Sequence, residues 1–283
     1  MLETIPIIDA HLHLWDLSRL EYPWLNSVPS IQRNFLIEDY ERATAGCGVE
    51  KMVFVQCECR PDQYLKEVAF VTEQARQDSR LVGIVAYAPL EKGQRVEAQL
   101  SELSAFSLVK GVRRMYDDEP DLCTSPGFLE GLCMLPAYGW TFDISVKPHA
   151  LPSTIRMIEQ CPDTQFILNH LGKPGIKSGA LALYREHVDV LASFSNVIAK
   201  VSGLLTECAP QHWTPGQLAP YLEYAVEKFG YDRLMFGGDW PVVELAGTYR
   251  QWLNVLEELL TGCSREDQVK LFHTNATRFY RLE

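Results

Sequence analysis

Three histidines and one aspartate are the residues of this sequence whose types and spacing could do chemistry together. His11 and His13 stand one residue apart and close an apolar stretch that begins at Pro6. In an extended strand, residues two apart project to the same side, so both imidazoles would enter one small volume. His170 ends a second apolar stretch, and Asp239 follows two glycines at the end of another. Each of the four therefore stands where a buried strand is predicted to meet a loop.

Such a group supports two kinds of chemistry. Imidazole nitrogens and a carboxylate oxygen can bind one divalent metal ion, because both are common zinc ligands. They can equally hydrogen-bond a substrate carbonyl while Asp239 takes a proton from water. The residue types alone do not choose between the two, so both stay open at this point.

The elements that must position these residues alternate along the whole chain. Short apolar runs predict strands that begin near residues 6, 51, 81, 108, 140, 165, 197 and 233. Amphipathic spacing predicts helices over 35–46, 64–79, 96–106, 128–138, 151–160, 181–194, 218–229, 249–260 and 265–280.

Eight strand and helix units in 283 residues predict an α/β fold of the (β/α)8 TIM-barrel type, with residues 1–283 as a single domain. An open doubly wound sheet is the main rival. That fold would place a glycine-rich phosphate loop after the first strand, where this chain has histidines instead. In a barrel the carboxyl ends of all eight strands converge, so residues far apart in sequence meet in one pocket.

Composition limits the partners. The formal net charge is −11, which argues against nucleic acid or an anionic membrane surface as a partner. No apolar run approaches the roughly 20 residues that cross a bilayer, and residues 1–6 show no signal-peptide pattern. The eight cysteines lack zinc-like spacing. We therefore expect a cytoplasmic protein with reduced thiols and no membrane contact.

Several motifs together resemble the amidohydrolase superfamily, and within it the sugar-lactonase branch that contains L-fuconolactonase, L-rhamnonolactonase and 2-pyrone-4,6-dicarboxylate lactonase. His-x-His by itself would be weak, but the combination is specific and spans nearly the whole chain. The motifs are Ile8-Asp9-Ala10-His11-Leu12-His13-Leu14-Trp15-Asp16, Tyr22-Pro23-Trp24-Leu25, Val109-Lys110-Gly111-Val112-Arg113, Asn169-His170-Leu171-Gly172-Lys173-Pro174, Lys200-Val201-Ser202-Gly203-Leu204, Gly237-Gly238-Asp239-Trp240-Pro241 and Asn275-Ala276-Thr277-Arg278-Phe279-Tyr280.

The resemblance implies a barrel enzyme that hydrolyses a small carbohydrate-acid lactone to its hydroxy acid. It implies that Asp239 is the general base for water, and that His11, His13 and His170 polarise the lactone carbonyl directly or through a metal. We predict substrate contacts from Arg113, Lys200, Trp15, Trp24 and His149. Tryptophan rings suit the C–H faces of a sugar. Successive strand residues face opposite sides, so only one of the adjacent arginines Arg113 and Arg114 can point into the pocket. The alternation does not decide which, and we take Arg113 as the pocket residue.

The sequence departs from the metal-rich members of the superfamily. An arginine stands where a carboxylated lysine would close the fourth strand, and no histidine clearly closes the fifth, so a two-metal site is disfavoured. The resemblance implies that no cofactor is strictly required. A single divalent ion such as zinc remains an option, with His11, His13, His170 and Asp239 as its ligands.

Two other functions stay open. One is a zinc-dependent decarboxylase or amide hydrolase on the same scaffold, and the other is a non-catalytic binding protein that keeps the pocket. The complete set of three histidines and one aspartate argues against the second. The expected partner is a small-molecule lactone. The sequence does not decide the oligomeric state, and a homo-oligomer is compatible with it.

Overall fold

A closed barrel of parallel strands forms the centre of the protein. The computed structural model describes residues 5–209 and 212–282. Its strands follow one another in sequence order and run over β1 Ile7–Leu12, β2 Val49–Val55, β3 Leu81–Ala86, β4 Val109–Val112, β5 Thr141–Ile144, β6 Phe166–Leu168, β7 Val197–Val201 and β8 Leu234–Phe236. The last strand returns to the first, because the amides of Asp239 and His13 donate to the carbonyls of His11 and Trp240, each at 2.7 Å. The (β/α)8 prediction is confirmed.

Helices follow the strands as the alternating pattern predicts. They are α1 Ile37–Ala43, α2 Tyr64–Gln77, α3 Glu97–Ser104, α4 Pro126–Leu132, α5 Leu135–Tyr138, α6 Leu151–Gln160, α7 Leu181–Ser193, α8 Pro215–Phe229, α9 Tyr249–Leu259, α10 Arg265–Val269 and α11 Asn275–Tyr280. The single helix predicted over 128–138 is in fact two. The second begins at Leu135, one residue before Pro136, which has no amide hydrogen to continue the first. Within the described residues, no helix has both the length and the hydropathy needed to cross a bilayer.

Apolar side chains fill two layers, as expected for strands buried on both faces. One face of each strand packs under the helices, and the other fills the barrel interior. The interior layer includes Ile8, Val53, Ile167 and Met235. From the carboxyl-terminal helix, the fully buried Tyr280 joins this inner layer. The barrel is therefore a packed core with its open end only at the strand carboxyl ends.

Most of the eight strands are shorter than the apolar runs suggested. His170 lies two residues beyond the end of β6 and Asp239 three residues beyond the end of β8, with φ values of +55° and +54°. This left-handed backbone is rare for residues with a side chain and costs about 1–3 kcal/mol each. Both residues thus sit in tight turns that end the strands and redirect their side chains.

Candidate active site

The three histidines and the aspartate meet at the carboxyl end of the barrel. Asp239 Oδ1 lies 3.6 Å from Nε2 of His11, 3.4 Å from Nε2 of His13 and 3.9 Å from Nε2 of His170. The Nε2 atoms of His11 and His13 are 3.2 Å apart. All four side chains are buried. Residues from β1, β6 and β8 therefore form one cluster, as the convergence of strand ends predicts.

Asp9 holds the two strands that carry most of this cluster. Its Oδ1 accepts hydrogen bonds from the amides of Gly238 and His11, at 2.7 and 3.0 Å, and its Oδ2 accepts one from the Tyr40 hydroxyl at 2.8 Å. Burial raises the pKa of Asp9 to about 6, although these hydrogen bonds oppose the rise. Asp9 therefore ties the start of the His-x-His motif to the turn that carries Asp239.

Only glycine fits at position 238, beside Asp9. A Cβ built on Gly238 would overlap the Tyr249 ring and lie 2.6 Å from Asp9 Oδ2. We expect Gly238→Ala to lower the free energy of unfolding by about 1–3 kcal/mol and to impair activity, because the turn must move. Thermal unfolding and assays of catalytic activity measure the two effects. Gly216→Ala, where a Cβ meets open space, is the matched control and should be neutral; equal stability of the two variants would contradict this account of the turn.

The second nitrogen of each imidazole fixes how the ring is oriented. His13 Nδ1 lies 2.7 Å from the carbonyl of Val55, so it carries the proton and leaves Nε2 with a free lone pair. His170 Nδ1 is 2.9 Å from the Ser202 hydroxyl, which can either donate or accept. His11 Nδ1 faces the ammonium of Lys200 at 3.3 Å.

Burial and local charge set the protonation of the cluster. Burial is the largest cause that lowers the pKa of all three histidines, in His170 to about 3. Burial would raise the pKa of Asp239, but His170, His13 and Arg113 outweigh it and hold that pKa below its ordinary value. The site at neutral pH is therefore a carboxylate among neutral imidazoles.

This arrangement fits a single metal ion. His11, His170 and Asp239 offer ligand atoms that all lie within 4.8 Å of one another, and His13 Nε2 lies beside them. A tetrahedral zinc with bonds of about 2.0–2.1 Å needs its ligand atoms roughly 3.3 Å apart, which the spacings around Asp239 Oδ1 approach. The partners of Nδ1 in His13 and His170 would orient these rings toward a metal. The donor set therefore fits zinc, and it also fits direct hydrogen bonding.

A cavity of about 400 Å³ opens above the cluster. His13, His170 and Asp239 line it, whereas His11 is fully buried beneath them and does not reach the lining. The other residues that line the cavity are Trp24, Cys57, Glu58, Arg113, Met115, Ser145, Lys173, Thr206, Glu207 and Val242. The cavity is large enough for a small ring with several hydroxyl groups.

Arg113 is the arginine that lines this cavity. One of its terminal nitrogens donates to the carbonyl of Gln56, while its Nε is buried without a hydrogen-bond partner. Arg114 points away and pairs with Glu91 at 3.2 Å. The alternation of strand faces explains the difference: Arg113 lines the cavity, and Arg114 is turned to the other side of the strand.

Three of the predicted substrate contacts, Lys200, Trp15 and His149, lie outside the cavity lining. Lys200 is fully buried below the histidines, where its Nζ lies 2.6 Å from Asp143 Oδ2. Trp15 is also fully buried, and its indole nitrogen donates to the carbonyl of Arg33. His149 is exposed and binds the carbonyl of Asp117, outside the cavity lining. Strand position alone could not tell a pocket lysine from a lysine in the barrel interior.

Trp24 does line the cavity, and Trp15 supports it. The two rings meet edge to face with centroids 5.7 Å apart. The indole nitrogen of Trp24 donates to the carbonyl of Cys57 at 2.7 Å. The aromatic segment between β1 and α1 therefore presents one of its tryptophans to a ligand and buries the other as its foundation.

Lys173 and Glu207 are charged residues of the cavity that were not predicted as site residues from the sequence. Lys173 follows His170 in the motif Asn-His-Leu-Gly-Lys-Pro, has φ +49°, and faces Asp117 at 3.7 Å. That motif was a signal that could have found it. Glu207 lies in the turn after β7, where no strand end or motif marks it. Only the folded loop brings this carboxylate to the cavity.

Similarity to known proteins agrees with the fold and the cluster. A family model described as Amidohydrolase matches residues 8–282, so the chain belongs to the amidohydrolase family. The L-fucono-1,5-lactonase of Burkholderia ambifaria is 30% identical over 286 residues, which cover 98% of this chain and 96% of that protein. The L-rhamnono-gamma-lactonase of Scheffersomyces stipitis is 22% identical and covers 98% of each chain.

A solved structure with the same fold also matches nearly the whole chain. A crystal structure of an amidohydrolase from Burkholderia multivorans with bound zinc has a TM-score of 0.87 and 27% identity, over 98% of this chain and all of that one. The predicted resemblance to the sugar-lactonase branch is confirmed by these relatives.

Proposed function

We propose that this protein hydrolyses the cyclic ester of a small sugar acid, with Asp239 as the base for water. The observation that carries the proposal is the Asp239 carboxylate held among neutral imidazoles at the floor of a cavity that also holds Arg113 and Trp24. The lactonase relatives support hydrolysis of a lactone as the reaction class. The sugar and the size of the lactone ring belong to the proposal.

Asp239 begins the reaction by taking a proton from water as the water oxygen attacks the lactone carbonyl. Its turn and the hydrogen bonds of Asp9 hold the carboxylate at the cavity floor. His13 and His170 place their Nε2 atoms 3.4 and 3.9 Å from the same carboxylate oxygen, which fixes its position between them. His11 touches no substrate in this arrangement, so it acts as a positioning residue beneath the other rings.

Arg113 and Lys173 supply the positive charge that the tetrahedral oxyanion needs. Donors held in place before the reaction stabilise developing charge without reorganising. Collapse of the intermediate breaks the bond to the ring oxygen, which takes the proton that Asp239 received. The product is an open-chain hydroxy acid, whose carboxyl group releases one proton to solvent at neutral pH.

A bound zinc would rest on His11, His13, His170 and Asp239. It would supply Lewis acidity toward the carbonyl oxygen.

The pH dependence of kcat/KM is expected to be flat from about pH 5 to 8. The lowered pKa of Asp239 keeps the base ionised until pH falls below its ordinary range, and His170, with a pKa of about 3, stays neutral over the same interval. Initial rates at constant ionic strength, corrected for spontaneous hydrolysis, measure the profile. A rise or fall in kcat/KM centred near pH 6.5 would mean that a protonated histidine takes part.

The test of the proposed function is a panel of lactones followed by proton release in weak buffer. L-fucono-1,5-lactone, L-rhamnono-γ-lactone and 2-pyrone-4,6-dicarboxylate are suitable members, and each is assayed before and after chelation with the metal content measured. We expect turnover of one sugar lactone that survives chelation. Absence of hydrolysis for every lactone in the panel would refute the proposal. Activity that returns only with stoichiometric zinc would favour a metal-dependent hydrolase or decarboxylase.

A further inference from the structure

More of the charged side chains that line the cavity are negative than positive. Arg113 and Lys173 are its cations, while Glu58, Glu207 and Asp239 are its carboxylates. Lys173 also faces a fourth carboxylate, Asp117, at 3.7 Å. Because the histidines are neutral, the described residues that line the cavity carry no surplus positive charge with which to bind an anionic substrate.

Glu58 is held as a fixed hydrogen-bond acceptor. Its backbone is left-handed, with φ +55°, and its amide donates to Gln56 Oε1 at 2.6 Å. Gln56 Nε2 donates in return to Glu58 Oε1 at 2.6 Å and also contacts the carbonyl of Arg113. This fully buried glutamine therefore couples Glu58 to Arg113, and it leaves Glu58 Oε2 for a ligand.

Glu207 approaches the cavity from the other side. It follows β7, whereas Glu58 follows β2, and the strands that carry Asp239 and His13 lie between them. A ring bound over Asp239 would thus have one glutamate on each flank. Arg113 lines the same cavity and supplies a positive charge beside a ligand bound there.

We propose that Glu58 and Glu207 form a subsite for ring hydroxyls and select uncharged polyhydroxy lactones over anionic lactones. Carboxylate oxygens are strong acceptors for hydroxyl donors, and a negative cavity repels a carboxylate or sulfonate substituent on the substrate. The proposal rests on the proposed function and defines its substrate class. It also explains product release, because hydrolysis turns a neutral lactone into an anion inside a cavity with excess negative charge.

Paired kinetics with a neutral and an anionic lactone test this subsite. The probes are L-fucono-1,5-lactone and 2-pyrone-4,6-dicarboxylate, with the wild-type protein, Glu58→Gln, Glu207→Gln and the control Glu244→Gln. We expect the wild-type protein to prefer the neutral lactone by at least about 100-fold in kcat/KM, since like charges brought together inside a cavity repel strongly. Each cavity variant should raise KM for the neutral lactone and shift the ratio toward the anion by about tenfold.

The control variant Glu244→Gln replaces a carboxylate with an amide outside the cavity lining. Glu244 lies near Asp239 in sequence and accepts from the Trp240 indole at 2.8 Å, so Glu244→Gln should leave the ratio unchanged. A wild-type preference for the dicarboxylate, or equal effects of the cavity variants on both lactones, would overturn the subsite. If neither lactone is hydrolysed, the proposed function fails, and calorimetric binding of the same two unreacted lactones decides the selectivity separately.

A second inference rests on a different observation, at the opposite end of the barrel. Cys133 and Cys161 have sulfur atoms 3.3 Å apart, and Cys133 is exposed while Cys161 is buried. They directly follow α4 and α6, whose carboxyl ends precede β5 and β6. The pair therefore lies near the amino ends of the strands, away from the candidate active site.

We infer that this pair forms a disulfide when it meets a low-molecular-weight disulfide such as oxidised glutathione. The Cys133 thiolate attacks one glutathione sulfur and releases glutathione thiolate. Cys161, once deprotonated, attacks the Cys133 sulfur and releases the second glutathione, so two protein thiols are oxidised and one glutathione disulfide is reduced. The adjacent sulfur of Cys161 makes the cross-link the favoured end of this exchange.

Peptide mapping and thermal unfolding after treatment with oxidised glutathione test this inference. We expect loss of two hydrogen atoms from the protein mass, a linked peptide pair containing both cysteines, and unchanged lactonase activity. The bond would close a loop 28 residues long, which predicts a rise in Tm of roughly 5–10 °C. Cys133→Ser should show no rise. A stable glutathione adduct on Cys133, or a cross-link between other cysteines, would overturn the inference.

Discussion

Asp239→Asn is expected to lower kcat for lactone hydrolysis by about 10³-fold, within the usual range for loss of a general base. The amide has nearly the same shape as the carboxylate but cannot accept the proton of the attacking water. KM should change little, because the charge and aromatic groups that bind the ring remain. Initial rates with the preferred lactone measure the effect.

Asp239→Asn should remove the base without straining the backbone at this turn. Asn tolerates left-handed backbone better than most residues, so φ +54° at this turn adds no new strain. Glu244→Gln makes the same chemical change in the same loop and should keep nearly full activity. If Asp239→Asn hydrolysed the lactone at the wild-type rate while folding normally, another group would have to be the base.

Lys200→Met is expected to destabilise the protein by about 3–5 kcal/mol, because it leaves one charge of a buried ion pair without its partner. Lys200 and Asp143 have no solvent exposure, and their charged atoms are 2.6 Å apart. The Tyr280 hydroxyl donates to the same carboxylate at 2.8 Å. Urea unfolding of the variant and the wild-type protein measures the loss.

A triple variant removes the ion pair while keeping its space filled, so the effect of the charges can be measured apart from the effect of a cavity. Replacing Lys200 with Met, Asp143 with Leu and Tyr280 with Phe removes all three polar partners, and apolar groups of similar size should recover much of the lost stability. If Lys200 contacted substrate instead, Lys200→Met would raise KM and leave stability unchanged. That result would contradict the position of this lysine below the cluster.

The general shape of the protein could be predicted from the sequence because its signals are local. Apolar runs that alternate with amphipathic stretches indicate strands and crossover helices, and eight such units indicate a barrel. The period of two in a strand is also local, so His11 and His13 could be assigned to one side. Since strand ends of a barrel converge, His170 and Asp239 could be expected beside them.

Which side chains reach the cavity was decided by contacts between distant parts of the chain. Lys200 stands near a strand end, but Asp143, 57 residues away in sequence, forms an ion pair with it in the barrel interior. Lys173 reaches the cavity instead, because the left-handed turn after β6 redirects the chain. Neither the buried partner nor the turn has a sequence period that a reader could recognise.

The same division holds for the aromatic loop and for Glu207. Trp15 and Trp24 are the same residue type in one segment, yet only Trp24 lines the cavity, because Trp15 packs beneath it against Phe35. Composition and periodicity determined the barrel, its open end and the catalytic candidates. Tertiary packing alone decided which charges and rings face a substrate, because burial and ion pairing depend on neighbours that the chain brings together only when folded.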